Sequence, residues 1–409
     1  MKILYITYDG LTDPLGGSQV LPYVIGLAAA GNHFHIISFE KEDAYRRRKA
    51  DVDKLMNEHG IGWTPLTYTK WPPVLSTLWD LHRMKQTAYE IHKRQLFDLV
   101  HCRSYIAALA GVEMKRRFGV PFLFDMRGFW ADERVEGGIW NLKNPAIKRV
   151  YKYFKKKEKE FITTADAVVS LTENGRQEML QWSLAGAAFP PIQVIPCCAD
   201  MDLFNNHHDR EASRAWRNRF GLPDDAFVLG YLGSVGTWYM LPEMLDFFRE
   251  LLTTKPHARF LFITPDPPEM IKDMAQQRGV DASRIHVAFL PRQEVASAIH
   301  VFDLGIFFIR PCYSKKASSP TKMGELLASG IPIVCNAGVG DVDLVYRELF
   351  ESPAITDLSK HGFAKWMKTI DTVCAFPGER LRETAVRHFS LETGVKKYRE
   401  IYQAIANRR

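Results

Sequence analysis

Short apolar runs alternate with amphipathic stretches along almost the whole of this sequence, and that rhythm narrows the available folds more than any other feature. The runs lack the strict polar–apolar alternation of a half-exposed strand, so they read as strands covered on both faces. Strands of that kind, separated by helix-length stretches, build parallel sheets flanked by helices, an α/β fold. In the first half the expected strands are Ile3–Tyr8, His35–Phe39, Leu99–Cys102, Phe122–Phe124, Ala167–Leu171 and Gln193–Ile195. In the second half they are Val228–Leu232, Ala258–Thr264, Ile285–Phe289, Leu304–Ile309 and Ile333–Cys335. Ser18–Ala30, Tyr105–Phe118 and Leu241–Thr254 are expected helices between them. The rhythm breaks near residues 196–205, which predicts two domains facing across a cleft, residues 1–200 and 201–385. After His388, the spacing of Val395, Tyr398, Ile401, Tyr402 and Ile405 predicts a helix in the tail 386–409. Ligands of such sheets bind outside the carboxyl ends of the strands.

A chain of 409 residues is too long for one ordinary core and suits two. Its 46% hydrophobic and 25% charged residues are those of a globular protein. No apolar run is long enough to span a bilayer, and the chain enters its first strand without a signal-peptide pattern. Six scattered cysteines form neither a zinc pattern nor a disulfide framework, so a reducing, cytoplasmic setting is expected. The net charge of +7 is unevenly placed: residues 65–160 hold 19 Lys and Arg against 10 Asp and Glu. The densest part, in the helix 148–160, interleaves aromatics with cations (Lys148, Arg149, Lys152, Lys155, Lys156, Lys157). That mixture fits an anionic membrane surface, hence a peripheral contact at the inner face of a membrane, and equally fits a solvated helix face. No nucleic-acid module accompanies it, so no nucleic-acid partner is expected.

The richest motif runs from residue 318 to 336, SSPTKMGELLASGIPIVCN. Ser318 and Ser319 offer hydroxyls, Pro320 suits a first helical turn, and Thr321 and Lys322 add a hydroxyl and a cation there. Gly330-Ile331-Pro332 closes the helix before a buried strand. Free N–H groups, helix dipole and ammonium together make a pyrophosphate welcome. Glu325, one turn in, can accept hydrogen bonds from paired hydroxyls such as those of a ribose. The competing reading is a capped surface helix with a solvated lysine.

This stretch resembles the nucleotide-sugar site of family-4 retaining glycosyltransferases, which have the GT-B fold of two Rossmann-like domains. Glu325 followed by Leu326-Leu327-Ala328-Ser329-Gly330-Ile331-Pro332 matches the second half of the paired-Glu motif of that family. The opening MKILYITYDG with Gly16-Gly17, the segment Val194-Ile195-Pro196 with Asp200 and Phe204, and Val228–Ser234 resemble further family landmarks in the same order. The resemblance implies a transferase that moves a sugar from a UDP- or GDP-linked donor to a hydroxyl of a glycan or lipid-linked acceptor, in cell-surface polysaccharide or glycoconjugate synthesis. It implies donor contacts from Gly16, Gly17, Ser234, Arg310, Ser318, Ser319, Thr321, Lys322 and Glu325. The glycine pair is expected in a loop with positive φ available, and the tail helix is expected to cross back onto the first domain.

Several positions depart from the family pattern. Where many members carry a His facing the donor sugar, this chain has Arg127, which points to an anionic group on donor or acceptor. Nearby, Trp130 offers a plate for a sugar ring, and Asp132, Glu133 and Arg103 are further acceptor contacts; an ion-pair cluster closing the strand end is the alternative. The usual Arg and Lys that neutralise the diphosphate are replaced by Ser234 and Tyr239. A leaving diphosphate gains charge, so Lys322 is the first candidate replacement, followed by Arg310, Lys315 and Lys316, of which at least one is expected to be solvated. The first Glu of the pair is Ala317, which puts the sugar in question. The catalytic set is then Arg127, Lys322 and Glu325. Three Asp-x-Asp triplets, beginning at Asp51, Asp200 and Asp341, are read as chance, and no metal or other cofactor is expected. His101 is placed near the cleft, and His207-His208-Asp209 fits neither a zinc motif nor a triad. The rival functions are a non-catalytic GT-B binding or scaffold subunit and a GT-B nucleotide-sugar epimerase; a dehydrogenase lacks its G-x-G-x-x-G fingerprint.

Overall fold

A computed structural model describes residues 1–184, 186, 188–207 and 209–408, so His208 of the triplet above lies outside it. The chain forms two compact units, Met1–Pro196 with Leu391–Arg409, and Cys197–Ser390.

The first unit is built on a seven-stranded sheet in the order β3-β2-β1-β4-β5-β6-β7. Its strands are β1 (Lys2–Thr7), β2 (His33–Glu40), β3 (Gly62–Thr67), β4 (Leu99–Arg103), β5 (Phe122–Asp125), β6 (Ala167–Ser170) and β7 (Ile192–Val194). All neighbours pair in parallel. Its helices are α1 (Pro14–Gln19), α2 (Leu21–Ala29), α3 (Glu42–Glu58), α4 (Leu75–Gln95), α5 (Ser104–Phe118), α6 (Trp130–Glu136), α7 (Pro145–Thr164) and α8 (Glu173–Leu180). Strand order reverses between β1 and β4, which are neighbours, and their exits define the crevice where such sheets bind ligands.

The second unit carries a five-stranded parallel sheet, β10-β9-β8-β11-β12. The strands are β8 (Val228–Leu232), β9 (Arg259–Ile263), β10 (Ile285–Ala288), β11 (Leu304–Phe307) and β12 (Ile333–Cys335). Around them lie α9 (Arg210–Phe220), α10 (Leu241–Thr254), α11 (Pro268–Gln277), α12 (Arg292–Ala298), α13 (Thr321–Ala328), α14 (Val342–Phe350), α15 (Lys360–Met367), α16 (Ile370–Cys374) and α17 (Gly378–Phe389). Every residue of β8 and β11 is buried, as expected where helices cover both faces. The final helix, α18 (Leu391–Ala406), belongs to the first unit and buries Tyr398, Ile401, Tyr402 and Ile405 there.

Three local expectations need correction. The predicted helix Ser18–Ala30 is two helices, broken at Val20, with the first beginning at Pro14. Gly16 and Gly17 therefore lie inside α1 rather than in a loop, and neither has positive φ. Gly16 is required by close approach instead: a Cβ there would sit 2.1 Å from the Gly10 carbonyl oxygen. The third correction is β3, an edge strand that the apolar pattern did not announce.

Candidate functional site

In the second unit the chemistry gathers at the exits of β8 and β11, which are sheet neighbours. Beyond β8, Gly233 turns the chain with φ of 95°, and the following loop is held by Asp266. Asp266 accepts from Val235 N at 2.6 Å, the Ser234 hydroxyl at 3.2 Å and the Thr264 hydroxyl at 2.8 Å. Further on, this loop pairs with the β11 exit: Met240 N donates to Phe308 O at 2.9 Å and Arg310 N to Trp238 O at 2.9 Å. Asn336 fixes the same exit by exchanging hydrogen bonds with Ile309 N and O at 2.7 and 2.8 Å.

Helix α13 starts at Thr321 with Pro320 as its N-cap residue and ends before Gly330, whose φ is 69°. Its first turn carries Lys322, and the lysine is not solvated: it is 6% exposed. Its Nζ lies over the rings of Tyr239, 3.5 Å from the centroid, and Tyr231, at 4.0 Å, and has no hydrogen-bond partner among the described residues. A Cβ on Gly233 would be 3.7 Å from that Nζ, so the lysine tip lies against the β8 loop. Burial pushes the Lys322 pKa well below the usual lysine value, with Glu325 and Asp266 opposing the shift only in part. Lys322 is thus a buried amine at the first turn of a helix, with Glu325 and Asp266 as the carboxylates that act on its charge.

Glu325, 5% exposed, is ion-paired with Arg292 at 2.7 Å. Burial raises its pKa, while Arg292 and Lys322 work against that rise. Arg292 comes from the start of α12 and stacks on Phe204 at 5.1 Å. Nothing in the motif pointed to it, since it lies 33 residues from its partner. The remaining cations follow the aromatic loop: Arg310 and Lys315 both lie over Trp238, at 5.0 and 3.8 Å, and Lys315 is buried. Arg310 and Lys316 are exposed. Ser318 is half-buried, Thr321 likewise, and the Ser319 hydroxyl accepts from Cys197 N at 3.2 Å. Ala317 is buried. Arg382 braces the helix end, donating to Ala328 O at 2.8 Å, Phe204 O at 2.9 Å and Met201 O at 2.9 Å.

In the first unit, the segment before α1 is fixed by buried Glu40, which accepts from Leu11 N at 2.8 Å and Thr12 N at 3.0 Å. Beyond β5, Arg127 is held at φ of 58° and Gly128 at 111°, an uncommon left-handed pair. Arg127 donates to the Gln19 side chain at 3.4 Å, which ties it to α1. Behind it lies a buried polar cluster. His101 and Asp125 sit on adjacent strands, their side chains 3.6 Å apart; Tyr402 bonds His101 Nδ1 at 2.7 Å, and the Tyr398 hydroxyl donates to Asp125 at 3.1 Å. Burial lowers the His101 pKa; for Asp125 burial pushes upward, but Arg127, His101 and Arg103 outweigh it and hold the carboxyl below its usual value. His101 thus joins the tail helix to the sheet and does not line an open surface.

Three proposed acceptor contacts are already engaged. Arg103 is 3% exposed and donates to Asp9 at 3.2 Å and Gln19 O at 3.4 Å. Asp132 is 7% exposed and is bound by the Tyr151 hydroxyl at 2.8 Å and Lys155 at 2.7 Å. Trp130 is packed by Tyr105, Trp140, Phe154 and the Arg134 guanidinium at 5.7, 5.2, 4.9 and 4.9 Å. Trp130 and Asp132 anchor α6 on α7, through a lysine and aromatic rings rather than an arginine–carboxylate cluster, while Glu133 and Arg127 stay half-buried. Among the described residues no group of three His, Cys, Asp or Glu could hold a metal ion. The Asp200 side chain accepts from Asp202 N and Leu203 N, and Asp209 caps α9.

Comparison with known proteins places this arrangement. The fold is GT-B: the chain is similar to sucrose-phosphate synthase from Thermosynechococcus elongatus (TM-score 0.74, 14% identity, all of both chains covered). It is also similar to Anabaena HepE in complex with UDP and glucose (TM-score 0.69, 15% identity, 98% of this chain and 99% of that one). The model of Glycosyltransferase Family 4 matches residues 19–203. A D-inositol 3-phosphate glycosyltransferase of Nocardioides sp. is 24% identical over 268 residues, 62% of this chain and 55% of that protein. The chain thus spans about half the length of this curated relative.

Proposed function

We propose that the protein transfers a sugar from a nucleoside diphosphate, UDP- or GDP-linked, to a hydroxyl of a glycan or lipid-linked acceptor. The observation that carries this reading is Lys322, a buried amine at the first turn of α13 without a hydrogen-bond partner among the described residues. The diphosphate would take the α13 N–H groups, the Ser318 and Thr321 hydroxyls and the Lys322 charge, with Arg310 and Lys315 beside it. Glu325 would receive the ribose hydroxyls, sharing its carboxylate with Arg292. Stabilising the leaving group is where a fixed cation contributes most. The reaction proceeds with retention: the acceptor oxygen bonds to the anomeric carbon on the face from which the diphosphate leaves. The carbon–phosphate-oxygen bond breaks, and the acceptor proton passes to the departing phosphate. No protein nucleophile and no metal is needed. Arg127, held near α1, would meet an anionic group of acceptor or sugar. The exposed α7 cations Lys148, Arg149, Lys152 and Lys156 would meet an anionic membrane surface from the cytoplasmic side, where a lipid-linked acceptor resides. Synthesis of a cell-surface polysaccharide or glycoconjugate is the setting this implies.

Thermal stabilisation without added metal, across UDP-, GDP-, ADP- and CMP-sugars and NAD(P), tests the donor site. A shift with one nucleotide class is expected, and its absence with all of them overturns the reading. The Arg292–Glu325 pair favours one second reading, a binding subunit in which the ribose site is closed. Release of free nucleotide upon acceptor addition separates the two, and interconversion of donor sugars without acceptor would identify an epimerase.

A further inference from the structure

The first two turns of α4 are inside out. Ser76 and Asp80 face the interior at 5% and 0% exposure, whereas Leu75, Leu78 and Trp79 face outward at 62%, 57% and 55%. Leu75, Leu78, Trp79 and His82 fall at i, i+3, i+4 and i+7, hence on one face. His82 is exposed and stacks on Trp79 at 5.9 Å. Just ahead, Trp71 is 76% and Val74 42% exposed, with Pro72 and Pro73 exposed between them. The helix cannot rotate to hide these groups, because Asp80 fixes its register. Asp80 accepts from Tyr8 at 2.9 Å, from Thr69 N and hydroxyl at 3.0 and 2.8 Å, and pairs with Arg83 at 2.6 Å. A contiguous apolar patch held open in this way marks an interaction surface.

The patch is free of acids from Lys70 to Trp79, and Lys70 is exposed. It shares a helical layer with the basic helix. Lys85 of α4 pairs with Glu113 of α5 at 3.4 Å, and Arg116 of α5 with Glu160 of α7 at 2.8 Å. Both α4 and α7 begin after the chain has left the carboxyl edge of the sheet, from β3 and β5. Tryptophans beside leucines and cations suit the boundary between headgroups and acyl chains.

We infer that residues 71–79 insert into the interfacial layer of a lipid bilayer as an apolar anchor, with α7 meeting anionic headgroups beside it. This rests on the reading that the first unit meets a lipid surface, and goes beyond it by assigning the apolar contact. The experiment is co-sedimentation of the full chain with vesicles of phosphatidylcholine alone and of phosphatidylcholine mixed with an anionic phospholipid, at low and high salt. Three variants accompany the wild type: Trp71→Ser/Trp79→Ser, Leu75→Ser/Leu78→Ser, and Lys148→Glu/Lys152→Glu/Lys156→Glu, each checked for an unchanged melting temperature. Wild type is expected on both vesicles, more on the anionic ones, with a fraction that survives salt. Each patch variant should lower partitioning roughly tenfold or more on both vesicle types. The α7 variant should lose only the anionic gain. Patch variants that bind like wild type overturn the anchor and leave the α7 reading standing. A wild-type dimer that the patch variants dissociate, without vesicle binding, overturns the anchor in favour of a second copy. No vesicle binding by wild type overturns both surface assignments, while nucleotide stabilisation still tests the transferase reading separately.

Discussion

Two buried charged clusters, one in each unit, show opposite ways of handling a charge inside a protein. Around Asp125 the charge is answered from within: Arg103, Arg127, His101 and Tyr398 surround it, and its pKa falls despite burial. Around Lys322 the charge is left with two tyrosine rings and, among the described residues, no hydrogen-bonded oxygen, and its pKa falls because burial wins. A cation over aromatic rings gains about 2 kcal/mol when desolvated, less than the several kcal/mol that burial of an ion costs. The first cluster answers its carboxylate with neighbouring charge, though Asp125 Oδ1 and His101 Nε2 have no hydrogen-bond partner among the described residues. Under the proposed function, the negative charge that answers the second would come from the donor diphosphate.

Mutation can break this contrast. Removing Asp125 (Asp125→Ala) should destabilise the protein by about 3–5 kcal/mol in urea unfolding, because buried cations lose their counterion. A cost below about 1 kcal/mol would show that the cluster is not a structural unit. Lys322→Met should act in reverse. Turnover should fall about 10²–10³-fold, as for a lost transition-state contact, while the nucleotide-free protein gains about 1 kcal/mol. Full activity would move the countercharge to Arg310, Lys315 or Lys316.

Smaller effects sharpen the comparison. Glu325→Ala should weaken nucleotide binding by about 1–3 kcal/mol in calorimetry, and unchanged affinity removes it from the ribose site. Tyr402→Phe takes one hydrogen bond from His101 and should cost about 1–2 kcal/mol of stability with nucleotide affinity unaltered. The least effect is on pH dependence. Lys322 has a lowered pKa in the empty site, and a bound diphosphate would raise it. Binding should therefore take up a fraction of a proton, and affinity should fall as pH rises above the lowered value. Calorimetry in buffers of different ionisation enthalpy reads this directly; no uptake means Lys322 is already charged.

Much of the fold was legible because buried parallel strands announce themselves: Val228–Leu232 and Ile333–Cys335 lie where their apolar runs placed them. The strand Gly62–Thr67 did not, since an edge strand is half-buried and tolerates Pro65. In the site, the motif located the α13 turn, its lysine and its glutamate. It could not give the burial of Lys322, which depends on Tyr231 and Tyr239 arriving from another strand exit. It could not give Arg292 for the same reason, nor the packing that engages Trp130 and Asp132 within the first unit. Spacing revealed the apolar face of the tail helix, but not that two of its tyrosines bond into a polar cluster.

That tail has a consequence for how the chain is made. The first unit comprises residues 1–196 and 391–409, so Tyr398 and Tyr402 reach His101 and Asp125 only after residues 197–390 have been synthesised. At about 5–20 residues per second, the interval is roughly 10–40 s. Throughout it the nascent first unit must wait with Asp125, His101 and the wall of α2 that packs on α18 uncovered, while the second unit, contiguous in the chain, can finish first.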